Sequence, residues 1–128
     1  MDLAKEFGAT HIINSSNQNV KKEIDKITNG EGVDYSMDAG GIIETIELAF
    51  DLVKNNGGRC VFASHPKSGE KISLDPFDLI LGKNIQGSWG GLSKPDKDVP
   101  LLTELYSQGL MPLQKLVTKK YTLDEINI

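Results

Sequence analysis

Gly32-Val33-Asp34-Tyr35-Ser36-Met37-Asp38-Ala39-Gly40-Gly41 is the stretch that decides the fold of this 128-residue chain. Val33, Tyr35 and Met37 alternate as one face of a pleated strand would. Two glycines follow, where backbone turns sharply or comes close to a ligand. From Ile42 onward the apolar spacing changes to the helical period. A strand, a tight glycine turn and a helix make half of a βαβ unit. In open α/β sheets ligands sit outside the carboxyl ends of the strands, which is where Gly40 and Gly41 fall.

Upstream of this stretch, Thr10-His11-Ile12-Ile13-Asn14 predicts a short β-branched strand, bounded by Ser15, Ser16 and Asn17. A helix is predicted over 20–28, with Val20, Ile24 and Ile27 on one face and Asn29-Gly30 as its stop. Met1 to Phe7 reads as the last turns of a helix, with Gly8 as its C′ residue. Downstream, Ile42 to Asn55 is the best helical pattern of the chain. Ile46, Phe50 and Val53 follow i, i+4, i+7, and Gly57-Gly58 ends it. The run Arg59-Cys60-Val61-Phe62-Ala63-Ser64 is apolar enough for a strand covered on both faces, broken at His65-Pro66. Ile72 and Leu74 suggest a short strand or extended link. Asp75-Pro76 is a helix entry, N-cap then proline at the first helical position. A further strand is predicted from Asn84 to Trp89, closed by Gly90-Gly91. Pro95 to Asp98 read as a polar link, Val99 to Ser107 as a helix, and Leu113 to Tyr121 as extended. Thr122-Leu123-Asp124-Glu125 has capping-box spacing and announces another helix.

Composition narrows the classes of function. A formal net charge of -4 argues against a nucleic-acid partner. No apolar run is long enough to span a bilayer, so no membrane partner is expected. The one cysteine, Cys60, has no intramolecular disulfide partner, which makes a reducing, cytoplasmic setting the default. One cysteine and two separated histidines do not make a cysteine-type zinc cage.

The order β, α, β-Gly-Gly, α, β, short α, β-Gly-Gly, α closely resembles the coenzyme domain of the zinc-type, medium-chain alcohol dehydrogenases. The carrying residues are Ala4-Lys5-Glu6-Phe7-Gly8-Ala9-Thr10, Gly32-Val33-Asp34, Gly57-Gly58-Arg59 and Gly87-Ser88-Trp89-Gly90-Gly91. Asp98-Val99-Pro100-Leu101-Leu102 and Tyr121-Thr122-Leu123-Asp124-Glu125-Ile126-Asn127 complete them. The resemblance covers essentially the whole chain and only part of the family protein. The amino-terminal domain with the zinc ligands has no counterpart here. Nor has the first strand with its G-x-G-x-x-G turn, nor the residue that separates NAD from NADP. The expectation is a partial dinucleotide-binding domain over residues 1–128, truncated at both ends.

What the resemblance implies follows from that placement. The fold is α/β, a partial Rossmann-like three-layer α/β/α arrangement with a mainly parallel sheet of family strands 3-4-5-6, strands 1 and 2 missing. The cofactor is NAD or NADP; zinc belongs to the family, with no ligands in this chain and no catalytic residue assigned to it. Backbone at Ala63, Ser64 and His65 runs beside the nicotinamide. Backbone at Ser88, Trp89 and Gly90 holds its carboxamide, and the turn at Ala39 and Gly40 lies beside the riboses. The strand Ile85 to Trp89 pairs edge to edge in a homodimer. Three readings of function stay open: part of an alcohol-oxidising oxidoreductase that is inactive alone, a non-catalytic dimerisation or binding remnant, and one half of a split enzyme whose catalytic domain is another chain.

Each singled-out residue also has an ordinary reading. Gly40 and Gly41 are turn glycines whatever the function. His65 reads as a strand-end loop residue rather than a proton shuttle, and His11 as a surface residue. Cys60 reads as buried and inert. Asp34 and Asp38 share a face and read as solvated or capping groups, Trp89 as packing or dimer contact, and Lys119-Lys120 as a solvated pair. The sheet itself poses a problem: without strands 1 and 2 the Val33–Ala39 strand has a bare edge. Each unpaired buried backbone group costs about 1–3 kcal/mol, so the expected repair slides Thr10–Asn14 in beside it as a fourth strand.

Overall fold

Four residues of the opening stretch, Tyr35–Asp38, form β1 in the computed structural model, which describes residues 2–126. β1 pairs in parallel with β2 (Arg59–Phe62), and β2 in parallel with β3 (Asn84–Gly87), in the order β1-β2-β3. The register places Ser36, Cys60 and Ile85 side by side on one face and Met37, Val61 and Gln86 on the other. A parallel pair needs a crossover, and between β1 and β2 it is α3 (Ile43–Asp51).

The core lies between α3 and the Ser36–Cys60–Ile85 face. Ile46 is 0% exposed, and Phe50, Val53 and Cys60 form one cluster backed by Val33, Ala49, Leu74 and Ile85. Burying Phe50 or Val53 contributes about 1.5–3 kcal/mol each. The predicted apolar stripe Ile46, Phe50, Val53 is therefore the packed one, although the helix stops at Asp51 rather than Asn55. It stops because Val53 leaves it to bridge Val33: the Val33 amide donates to the Leu52 carbonyl and the Lys54 amide to the Val33 carbonyl, both at 2.9 Å. Cys60 is buried as expected, and burial is the main cause that pushes its thiol up from its ordinary value.

Upstream lie α1 (Asp2–Glu6) and α2 (Val20–Thr28). The Asn19 side chain caps α2 by accepting from the Lys22 amide at 3.0 Å, and Asn29 ends it in the left-handed region. The fourth strand is not there. Thr10–Asn14 is irregular chain with no ladder partner, and its end is folded back locally. The Asn14 amide donates to the Gln18 side chain, and the Asn14 side chain accepts from the Ser16 amide. Five residues without a pairing neighbour gain too little to order as a strand. The sheet thus has three strands where four were expected, and β1 keeps its bare edge. The expected three layers are also incomplete. Tyr35 and Met37, on the face away from α3, stay 74% and 69% exposed, so no described helix covers them.

After β2 the segment holding Ile72 and Leu74 is irregular rather than a strand. α4 (Pro76–Ile80) is capped as predicted, the Asp75 carboxylate accepting from the Phe77 amide at 2.8 Å. Lys83 then anchors the entry to β3, its ammonium donating to the Asp51 carbonyl at 3.0 Å and facing Asp78 at 3.4 Å. β3 ends at Gly87, two residues before the predicted end at Trp89.

Among the described residues, 92–126 form a second unit. Its main element is α5 (Pro95–Ser107), which absorbs the predicted polar link. The reason is Asp98, whose carboxylate reaches back to the Lys94 amide (2.6 Å) and the Ser93 hydroxyl (2.8 Å) and so satisfies the helix start. A 3-10 turn, Leu113–Leu116, opens the segment expected to be extended. The Thr122/Glu125 capping box is present, but it opens a 3-10 turn, Leu123–Glu125. Met1 and Asn127, parts of the predicted terminal helices, lie outside the described residues.

Candidate functional site at the carboxyl rim

The eight residues singled out from the sequence all lie just past the carboxyl ends of the strands. Ala39 and Gly40 follow β1, Ala63, Ser64 and His65 follow β2, and Ser88, Trp89 and Gly90 follow β3. Parallel pairing in register brings these ends to one rim. Two of their amides are committed to the sheet. The Ala63 amide donates to the Asp38 carbonyl at 3.0 Å, and the Ser88 amide to the Phe62 carbonyl at 2.9 Å, each carrying the ladder one residue further. The Gly40 amide is also taken, by the Asp38 carboxylate at 3.3 Å.

Between the turns after β2 and β3 opens a cleft of about 420 Å³, lined by Phe62, Ser64, His65, Pro66, Gly87, Ser88 and Trp89. Half of what was singled out thus meets in one place: Ser64, His65, Ser88 and Trp89. Ala39, Gly40, Ala63 and Gly90 stand beside the cleft without lining it. The His65 and Trp89 rings are 4.4 Å apart at 49°, a tilted contact within the favourable range for aromatic pairs. Trp89 is nevertheless 78% exposed, so of the two roles expected of it, packing or dimer contact, it does not fill the first.

Asp38 takes the capping role that its sequence reading offered, but from a buried position. It is 5% exposed, a buried acid rather than a solvated one. Its carboxylate caps the glycine turn, accepting from the Gly41 amide at 3.1 Å, and it also accepts from the Ser64 hydroxyl. Burial pushes this carboxyl upward, and the hydrogen bonds from Ser64, Thr45, Gly41 and Gly40 outweigh it, so the acid sits below its ordinary value. The sequence did hold a signal. An Asp two residues before a glycine is the pattern of a side chain bonding the backbone ahead of it. Asp34, by contrast, is exposed and pairs with Lys54. Gly41 is seated tightly, at φ +77° with a built Cβ only 3.3 Å from the Ser64 Cβ, so a side chain there would push the two turns apart.

An apolar groove of similar size, about 440 Å³, lies within the second unit, along Val99, Leu102, Tyr106, Leu113 and Val117. It has few polar groups to orient a ligand, and the rim is the better site. Among the described residues no group of three or more His, Cys, Asp or Glu side chains is placed to hold a metal ion, and no helix is long and apolar enough to cross a membrane.

Parallel strands joined through a helix, with a cleft at their carboxyl rim, define a Rossmann-like α/β domain. Residues 1–108 match the family described as zinc-binding dehydrogenase, and the chain belongs to that family. Alcohol dehydrogenase-like 5 of Arabidopsis thaliana is 34% identical over 98% of this chain and 33% of its own length. Benzyl alcohol dehydrogenase from Acinetobacter calcoaceticus superimposes with a TM-score of 0.91 at 37% identity, covering 98% of this chain and 34% of that one. A putative zinc-binding dehydrogenase from Sinorhizobium meliloti, bound to NADP, matches 69% of this chain and 26% of its own at 32% identity, TM-score 0.63. The chain spans about a third of the length of the relatives it matches.

Proposed function

We propose that this chain forms the nicotinamide end of the coenzyme site of an alcohol-oxidising oxidoreductase and works with further polypeptide that its longer relatives carry. The observation that supports this most is the rim cleft, in a chain whose family and whose relatives' names are those of dehydrogenases. The cleft fits a flat ring bearing an amide. Phe62, Pro66 and the His65–Trp89 pair offer apolar and aromatic walls, and Ser64 and Ser88 offer polar groups. No lysine or arginine lines it. The described donor set does not fit a zinc ion.

When bound, the nicotinamide accepts the hydride that an alcohol carbon gives up as it becomes an aldehyde or ketone. The chain's own residues hold the ring and exclude water from one side of it. His65 and Trp89 frame it, Ser64 and Ser88 orient the amide, and the Ala39–Gly40 turn lies alongside. No Asp or Glu side chain lines the cleft.

Trp89 is the chain's single tryptophan and reports on the cleft. NADH is expected to quench its emission, with millimolar affinity, about −4 kcal/mol, because the phosphates are not gripped. ADP-ribose, which lacks the ring, is expected to leave the emission unchanged. Equal quenching by both, or none by NADH, contradicts the reading. Alcohol-dependent NAD reduction by the purified chain is expected to be nil.

A second reading is favoured by one observation. β3 is an edge strand of the described sheet, with no described strand paired on its outer side. A dimerisation module pairing through that edge would sediment at twice the chain mass in the micromolar range; a monomer under those conditions dismisses it.

A further inference from the structure

Asp38 is the one buried acid among the described residues, and no lysine or arginine is among its partners. Its Oδ2 accepts from the Ser64 hydroxyl and the Gly41 amide, and its Oδ1 from the Gly40 amide. Neutral donors and the adjacent start of α3 meet the charge. Capping the glycine turn alone would not need a carboxylate, since an asparagine has an oxygen for that. Serving donors on both oxygens does need one, because an amide has a single acceptor atom. The extra donor is Ser64, which belongs to the next strand's turn. Ser64 is followed directly by His65, whose ring meets Trp89 on the turn beyond β3. A single carboxylate therefore begins a line of contacts that crosses all three strand ends.

We propose that Asp38 is a positioning residue of the rim: through the Ser64 hydroxyl it fixes the turn after β2, and with it the place where the His65 ring meets Trp89 at the cleft. Calling that cleft a coenzyme site rests on the reading above; the clamp itself does not. Hydrogen bonding keeps the carboxyl ionised, as the clamp requires.

The test uses the full chain without ligand, as Asp38→Asn, Ser64→Ala and the double variant. Amide exchange at Gly40, Gly41, Ser64 and His65 is expected to quicken about tenfold in each single variant, the loss of one charge-assisted hydrogen bond. Exchange at Cys60 and Val61, inside β2, is expected to stay at the wild-type rate. Trp89 emission becomes more accessible to acrylamide in both variants, although neither substituted residue adjoins Trp89 in sequence. The double variant goes no further than either single one. Ser64→Ala leaves the buried acid in place, so it reports even where Asp38→Asn unfolds. Unchanged Trp89 accessibility and unchanged exchange at 63–65 in Ser64→Ala overturn the proposal. So does a uniform rise that includes β2, which marks a purely structural group. NADH is absent throughout, so failure of coenzyme binding and failure of the clamp are read separately.

Discussion

Residues 2–91 hold every buried side chain of the described structure, and residues 92–126 hold none. The first region closes α3 onto β1 and β2 around Phe50, Val53 and Cys60. The second is held by local devices: Pro95 at the start of α5, the reach of Asp98 back to Lys94, the Gln108–Glu104 bond at 3.0 Å, and the Thr122/Glu125 box. Each such device contributes about 1 kcal/mol or less, and a 13-residue helix is marginal by itself. The difference teaches where order comes from. In the first region sequence-distant residues fix one another. In the second, neighbours along the chain do, and Leu101, Leu102, Leu116 and Val117 remain exposed.

The contrast is sharpest at Phe50, 2% exposed. Phe50→Ala is expected to lose about 3–5 kcal/mol, read as a fall in the urea midpoint followed by circular dichroism. A loss below 1 kcal/mol would mean that the core does not carry the first region. In acid the first region should weaken through Asp38. Its folded value is depressed, so its contribution is fully present above the ordinary carboxyl range of about 3.9. The contribution is lost as pH falls from there through the lower folded value. Asp38→Asn is expected to flatten the acid limb of a stability-versus-pH curve, and an unchanged limb would remove Asp38 from the account. Leu102→Ala, at a side chain 42% exposed on α5, is expected to cost under about 1 kcal/mol. Its effect should be confined to faster amide exchange within 95–107. A cost matching that of Phe50→Ala would erase the comparison. The smallest effect belongs to Lys21→Gln. The Lys21–Asp51 pair is 2.6 Å long with side chains 56% and 43% exposed, worth at most about 0.5 kcal/mol and screened by salt.

Where a local rule sufficed, the sequence was legible. Asn19 and Asn29-Gly30 bracket α2, Asp75-Pro76 opens α4, and the spacing of Ile46, Phe50 and Val53 picks out the buried stripe. It failed where the outcome depended on a neighbour. Thr10–Asn14 has strand composition, yet it stays unpaired and its end folds back on local bonds at Asn14, so three strands form. Tyr35 and Met37 alternate correctly, yet the face they line is uncovered. Pro95–Asp98 looked like a link because the capping role of Asp98 depends on a backbone amide behind it. The rim positions were legible from strand ends and glycines. The buried state of Asp38 and the His65–Trp89 contact were not, since each joins turns more than twenty residues apart.

The central claim is that the three strand ends make one ligand-binding rim. Its most direct test is an amide chemical-shift titration of the chain with NADH. The account predicts shifts confined to 39–41, 63–66 and 87–90, with the amides of α2 and α5 unmoved. Shifts centred on the 99–117 groove, or none at the rim at millimolar NADH, would contradict it.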